Sequence, residues 1–438
     1  MIQEIHIKDF KSYQSARLKL SPLTMLIGAN ASGKSNALEA IRFLNWLAQG
    51  QKLSALQYKV NENDQVVRGK IEDLPRAGLQ RFALGGSISG REYNQLEVSF
   101  EVREGGELHI DGEKVLTSED HPKSYPLYQI KKPSAGRQTA IEIEYNNFAR
   151  GGKKPLLSGT DQTAVFLQLM NASRFAEGHK KSGQIIPSTA KAFEKHLLNI
   201  VFLDPVPSRM RGYSFESDYT LLGDGSNLSS TLHYLLKSEN PNRAANKQAL
   251  LDFIASVPEQ AITDIDFIHT PRKEVMLQLT ESFGGLNRSC EAALLSDGTL
   301  RILAFGAILL SAKEGSTVIV EEVDNGVHPS RAHKLLATMH ELAKERQLTL
   351  LLSSHNPALL DALPDDAVPK VVFCYRNPET GYSELVAMED IPYYPELIAQ
   401  GSLGELLTRG LVDRFVKQQE SSSDRKKKAL DWLESIKG

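Results

Sequence analysis

Residues 28–35 read Gly-Ala-Asn-Ala-Ser-Gly-Lys-Ser, an occurrence of G-x-x-x-x-G-K-[ST]. This stretch constrains the fold more than any other. Its chemistry needs a strand that delivers the loop and a helix whose N-terminus receives an anion. Both flanks comply. Leu23 to Ile27 is a short buried run ending at the first glycine. After Lys34 the period changes, with Ala37, Leu38, Ile41, Leu44 and Leu47 on one helical face and Glu39 and Arg42 on the other. Gly28 and Gly33 permit the turns that aim backbone N–H groups at phosphates, with Asn30 between them. Lys34 supplies a point charge and Ser35 a hydroxyl suited to Mg²⁺, with Asn36 next along the helix.

Upstream, Ile5 and Ile7, then Ala16, Leu18 and Leu20, alternate as strands do. Residues 50 to 290 interrupt the pattern. "QLEVSFEVREGGELHIDGEKV" alternates and turns at Gly105-Gly106, "TAIEIEY" alternates again, 163–200 reads as helical, and a turn at Gly223 to Gly225 leads to a helix capped at Ser226 or Asn227. The α/β pattern resumes near residue 294. A helix is expected from Leu300 to about Ala312, strands at Val318 to Val320, Leu348 to Leu352 and Lys370 to Cys374, and a helix over 330–345. Such spacing predicts a mostly parallel sheet with helices on both faces. The final "QQESSSDRKKKALDWLESIKG" reads as a polar hinge and a charged, solvated helix. No internal repeat or long heptad run is present.

Over 438 residues, 51 Lys and Arg against 54 Asp and Glu give a net charge of −3, so the chain has no global pull toward nucleic acid. Cys290 and Cys374 lie far apart without C-x-x-C spacing, as reduced thiols do. "MIQEIHIKDF" has no signal-peptide core, and the longest apolar run, Ile302 to Leu310, is too short to span a bilayer. A soluble, cytoplasmic protein without membrane contact is expected.

Three further pieces carry chemistry. In "TVIVEEVDNGVHP" a buried strand ends in adjacent acids. Beside a phosphate loop, Glu321 is placed to hold Mg²⁺ and Glu322 to polarise an attacking water; alone, the pair would be surface charge. In "LLSDGTLRILAFGAILL", Ser296 and Gly298 open a helix and offer a hydroxyl and N–H groups to an anion, or cap the helix and nothing more. In "SSHNP", His355 stands at a strand tip where an imidazole can sense a γ-phosphate.

The order of these four motifs resembles the ABC-type ATPases of the SMC, RecF and OLD group, and most of all the stand-alone "AAA family" ATPases of bacterial antiphage defence. "IHIKDFKSYQSARLKL", "LIGANASGKSNALEAIRFL", "GDGSNLSSTLHYLL", "LLSDGTLRILAFGAILL", "EEVDNGVHPSRAHKLL" and "LLLSSHNPALLD" carry the likeness. It covers residues 1–50 and about 290–375 and fades between them. It implies an α/β ABC-type P-loop ATPase head with a mixed or parallel sheet core, an antiparallel β subdomain and an inserted helical arm or lid. The implied division is 1–155 for the N-terminal lobe, 156–285 for the arm, 286–400 for the C-terminal lobe and 401–438 for a helical tail.

The resemblance further implies ATP and Mg²⁺ as cofactors, and Ser35 and Glu321 on the metal. Catalysis falls to Glu322 and His355. Lys11 and Ser12 are implied at the nucleotide, and Ser296 and Gly298 at the γ-phosphate held by a second copy of the chain. Asp324 and Asn325 fall where that copy is touched. Where the family carries Asp and Pro, this chain has Glu321 and Val323, which points to slow hydrolysis. Gln80 is a candidate for the glutamine that senses the nucleotide.

The expected function is a homodimeric, ATP-hydrolysing switch that senses DNA or a phage component and controls a separately encoded effector, a nuclease or toxin. A built-in nuclease is not expected, since Asp365, Asp366 and Asp390 lack a D-x-D pair near a glutamate. The alternative is a DNA repair or chromosome-maintenance ATPase. Direct DNA contact would then fall to a basic groove of Lys131, Lys132, Arg137, Arg150, Lys153 and Lys154, unless these form a solvated charged loop.

Overall fold

A computed structural model describes residues 1–56, 66–118, 125–237, 239–255, 261–325, 329–391 and 394–418. The charged tail beyond residue 418 lies outside the described residues.

Strands β1 (Ile2–Phe10), β2 (Tyr13–Lys19), β3 (Leu23–Ile27), β4 (Arg81–Ile88), β5 (Tyr93–Arg103), β6 (Glu107–Thr117), β7 (Tyr128–Lys132), β8 (Ala140–Tyr145), β9 (Leu156–Thr160) and β10 (Ile200–Leu203) build most of one large sheet. A second sheet holds β11 (Ser214–Phe215), β12 (Ala261–His269), β13 (Glu274–Phe283) and β14 (Leu286–Glu291). The large sheet is completed by β15 (Thr317–Val320), β16 (Thr349–Ser354), β17 (Val372–Arg376) and β18 (Ser383–Ala387). Its 14 strands run β10-β15-β16-β3-β17-β18-β2-β1-β4-β5-β6-β7-β8-β9.

The first five of these strands are parallel, and from β1 outward to β9 every pairing is antiparallel. Sequence pattern explains the division. β3, β15 and β16 are buried along their whole length, because helices and loops cover both faces. β5 instead alternates buried and half-buried residues, as a strand with one covered face does.

The principal helices are α1 (Lys34–Ala48), α2 (Lys180–Leu198), α3 (Leu228–Leu236), α4 (Arg243–Ile254), α5 (Asp297–Ser311) and α6 (Pro329–Glu345). They sort into two cores on opposite faces of the parallel strands. Leu26, Ile319 and Leu351 point toward α1 and α2, whereas Met25, Val318, Val320 and Leu350 point toward α5 and α6. Side chains of a strand alternate between faces, so each central strand serves both cores.

The region 156–285, expected as a helical arm, interleaves helices with strands. It contributes β9 and β10 to the large sheet, while β11, β12 and β13 lie in the second sheet. The helix expected over 163–200 is split into a turn at Val165–Gln168 and α2.

Helix α1 departs from the simple amphipathic expectation. Glu39, placed by periodicity on the outer face, is 6% exposed. It is paired there with both Lys11 and Arg68. Its neighbour Arg42 pairs with Glu321 and lies 4.5 Å from the Phe202 ring. Charges tolerate such burial only when partnered, and here every partner comes from a different element.

Candidate nucleotide site

The loop between β3 and α1 lies at the carboxyl edge of the parallel strands, where ligands of α/β sheets bind. Two glycines seat it. A Cβ on Gly28 would stand 2.1 Å from the Cys374 carbonyl oxygen, so only glycine lets β3 run on beside β17. Gly33 has φ +123°, a conformation open to glycine, and a Cβ there would meet Ser383 Oγ at 2.4 Å.

A relay of side chains fixes the loop from outside. Ser383 Oγ donates to the Ser32 carbonyl at 2.5 Å and lies 2.7 Å from Ser12 Oγ. Asn36 Nδ2 donates to that same Ser12 hydroxyl at 2.7 Å. The Tyr13 hydroxyl donates to the Gly33 carbonyl at 3.1 Å, and Arg376 Nε to that of Ala31 at 3.2 Å. Lys34 Nζ reaches back to the carbonyls of Gly28 (2.5 Å) and Ala29 (3.1 Å). Burial draws its pKa below the usual lysine value, while Cys374, Glu322 and Asp324 pull the other way.

A cavity of about 340 Å³ opens in front of the loop. Its wall holds Asn30, Gly33, Lys34, Ser35 and Asn36 from the loop and α1, Glu321 and Glu322 from the end of β15, and His355 just after β16. Three segments far apart in sequence thus meet at one hollow. Gly28 lines a second hollow, of about 290 Å³, with His355, Phe373 and Tyr375.

The acidic end of β15 is held in an unusual backbone. Glu322 has φ +48°, the left-handed region that costs a non-glycine residue roughly 1–3 kcal/mol. Ser353 Oγ accepts from its N–H at 3.1 Å, and Asn325 Nδ2 donates to its Oε2 at 2.7 Å. Glu321 is held by Arg42. The Asp324 side chain is 7% exposed, its Oδ2 lies 3.7 Å from His355 Nδ1, and its Oδ1 has no hydrogen-bond partner among the described residues. Burial raises the pKa of Asp204 at the tip of β10, and Glu321 pushes it further up. Together these residues form a dense oxygen-donor edge of the kind Mg²⁺ accepts. The hydroxyl of Ser35 and the carboxylates of Glu321 and Glu322 fit that ion.

Other expected residues fall elsewhere. Lys11 and Ser12 do not line the cavity: Lys11 is occupied with Glu39 and the Arg68 carbonyl (2.9 Å), and Ser12 with Asn36 and Ser383. Arg68 and Arg376 join Lys34 as cations on the wall instead. Periodicity gives no sign of Arg68, which follows the residues outside the description, but Arg376 closes a strand recognisable in "VVFCYR". Gln80 is not at this site; it lines a hollow beside Arg81, Glu101 and Arg103. Ser296 caps α5, its Oγ accepting from the Thr299 N–H at 3.1 Å, and neither Ser296 nor Gly298 is on the cavity wall.

The proposed basic groove does not assemble either. Arg137 sits in the β7–β8 turn, whereas Arg150, Lys153 and Lys154 sit in the β8–β9 turn at the other end of those strands. Lys131 pairs with Glu144 at 3.5 Å. Among the described residues, no helix is long and apolar enough to cross a membrane.

Comparison with known proteins agrees with this architecture. Residues 162–361 match the family described as "AAA domain, putative AbiEii toxin, Type IV TA system", and residues 1–76 match "AAA ATPase domain". A DNA replication and repair protein RecF from Gloeobacter violaceus is 35% identical over 107 residues, 24% of this chain and 26% of that protein. The RecF of Acaryochloris marina is 31% identical over 106 residues, 24% of each chain. A chromosome partition protein Smc from Methanococcus voltae is 35% identical over 79 residues, 18% of this chain and 6% of that protein.

The chain thus spans about a quarter of the length of the RecF relatives it matches. Among solved structures, an SmcHead bound to the C-winged helix domain of ScpA aligns with TM-score 0.45 and 13% identity, covering 88% of this chain and 97% of that one. An SMC head domain from Thermotoga maritima aligns with TM-score 0.38 and 14% identity, over 88% and 98% of the two chains. The matched domains and the RecF and Smc relatives make parts of the chain similar to ABC-type ATPases of the SMC and RecF group.

Proposed function

We propose that the protein is an ATP-gated dimeric switch in which each nucleotide is gripped by one copy and completed by the Ser296–Gly298 turn of another. One observation carries this reading. The loop, the acid pair and His355 share a cavity, while Ser296 and Gly298 head α5 away from its wall. An anion-binding turn outside its own chain's site suits a partner's γ-phosphate.

In this reading Lys34 exchanges its carbonyl partners for phosphate oxygens, forming stronger charge-assisted bonds. Ser35 and Glu321 would hold Mg²⁺, which when bound would supply positive charge against the nucleotide phosphates. Glu322, set by Ser353 and Asn325, accepts a proton from the attacking water. His355, close to Asp324, orients toward the γ-phosphate. The Arg42–Glu321 pair competes with the metal for the carboxylate, which supports slow turnover.

The same reading extends to a cytoplasmic switch that senses DNA or a phage component and controls a separately encoded effector in antiviral defence; the match to a putative AbiEii toxin family of Type IV TA systems supports a place in such a system. The RecF relatives favour a second reading, a DNA-maintenance ATPase.

Light scattering with ATP tests the switch. Glu322→Gln should lose hydrolysis, keep ATP binding and accumulate as dimer. Ser296→Arg should bind ATP as a monomer. A Ser296→Arg protein that still dimerises and turns over ATP would refute the shared site. Stimulation of hydrolysis by duplex DNA alone, without an effector, would favour the second reading.

A further inference from the structure

On the second sheet, away from the nucleotide cavity, three side chains from three elements converge. Glu216 directly follows β11, His269 ends β12, and His233 lies in the last turn of α3. β13 is the central strand between them: Val275 pairs with Ser214 on one side and with His269 on the other, so Glu216 and His269 reach round the same strand end from opposite edges. The Leu277 N–H donates to Ser229 Oγ at 3.0 Å, which pins α3 over the same strand and brings His233 to them.

His269 Nδ1 lies 3.1 Å from Glu216 Oε1, and the His233 and His269 rings are 5.2 Å apart at 78°. One donor atom from each of the three lies within 4.8 Å of the others. A tetrahedral first-row ion with bonds of about 2.0–2.1 Å places its donors about 3.3 Å apart. The Glu216–His269 edge already has that span, and closing the His233 edges needs at most about 1.5 Å of side-chain movement.

We infer that Glu216, His233 and His269 form a binding site for a divalent transition ion of the Zn²⁺ class, distinct from the Mg²⁺ site of the nucleotide. Two imidazoles and one carboxylate favour Zn²⁺, Co²⁺, Ni²⁺ or Cu²⁺ over Mg²⁺ and Ca²⁺, which prefer all-oxygen sets. The triad faces a hollow of about 560 Å³ that leaves room for water or another ligand in the remaining coordination positions. Its wall carries Glu216 and Glu239 against Lys237 and Arg243, so fixed charge does not repel a dication. An exposed Glu–His contact is worth at most about 1 kcal/mol. The ion would clamp α3 to both edges of β13. That strand continues through β14 toward Ser296, so the clamp would stiffen the lobe presenting the Ser296–Gly298 turn.

The test uses the untagged full-length chain, stripped with chelator and kept in saturating Mg²⁺ and ATP. It is titrated with Co²⁺ and back-titrated with Zn²⁺ while visible absorption is followed. One equivalent with intense four- or five-coordinate bands, displaced by Zn²⁺, is expected. His269→Gln, whose side chain is 53% exposed and whose loss leaves packing intact, should weaken Co²⁺ binding by at least about tenfold. His233→Ala and Glu216→Gln should do the same, with ATP-analogue affinity unchanged in all three. Weak octahedral absorption only, or an unchanged one-equivalent spectrum in His269→Gln, would overturn the assignment.

Discussion

Ser383→Ala isolates the contribution of the outer relay to the phosphate loop. Ser383 is 1% exposed and Ser32 is 4% exposed. The Ser383 hydroxyl has one proton, given to the Ser32 carbonyl, so the contact with Ser12 uses the Ser12 proton. Removing the hydroxyl strands a buried carbonyl and ends the chain that starts at Asn36. An unsatisfied buried acceptor costs about 1–3 kcal/mol. Water from the adjoining cavity recovers part of this, which leaves about 1–2 kcal/mol. That cost falls on the ordered loop, so ATP affinity should weaken about 5- to 30-fold, at roughly 1.4 kcal/mol per tenfold. Titration with a fluorescent ATP analogue reads the loss. Ser12→Ala with Ser383→Ala should cost less than the sum of the single variants, because both break one chain. Unchanged affinity in a Ser383→Ala protein that melts like the parent would refute the relay.

Two further outcomes follow from the same geometry. Lys34→Ala should abolish nucleotide binding while the fold persists, measured by the same titration alongside circular dichroism; normal affinity would remove the loop from the site. Glu113 is fully buried and accepts from Tyr128 and from the N–H groups of Val165 and Phe166, and burial pushes its carboxyl up to about 7. A raised acid holds its proton more tightly folded than unfolded, so its stabilising effect is complete below about 4.3 and is lost as pH rises through about 7. Relative to Glu113→Gln, the parent should lose about 2 kcal/mol of stability between pH 5.5 and 8. Urea unfolding at both pH values checks this, and parallel pH curves would exclude it.

Much of the site was legible because its parts are local. Gly28 to Ser35 is one contiguous stretch whose strand and helix flanks follow from composition, and Glu321-Glu322 and His355 each close a short apolar run. A strand end in a parallel sheet is a functional address, so the order of motifs foretold that they would meet. Arg68 and the partners of Glu39 and Arg42 on α1 were not legible. Periodicity assigns Glu39 and Arg42 to solvent because it counts faces of an isolated helix and sees nothing of Lys11, Arg68 or Glu321 across the fold.

By itself, then, the sequence determined the phosphate grip, the parallel core behind it and the acids at its edge, since each depends on neighbours within about ten residues and on a period. Tertiary structure alone decided which side chains hold that grip in place. Ser383 meets Ser12 across 371 positions because β18 lies beside β2 in the sheet. Glu216, His233 and His269 meet because β11 and β12 flank one strand beneath α3. Strand order is set by packing both faces of the sheet at once, and that is a property of the whole chain rather than of any segment.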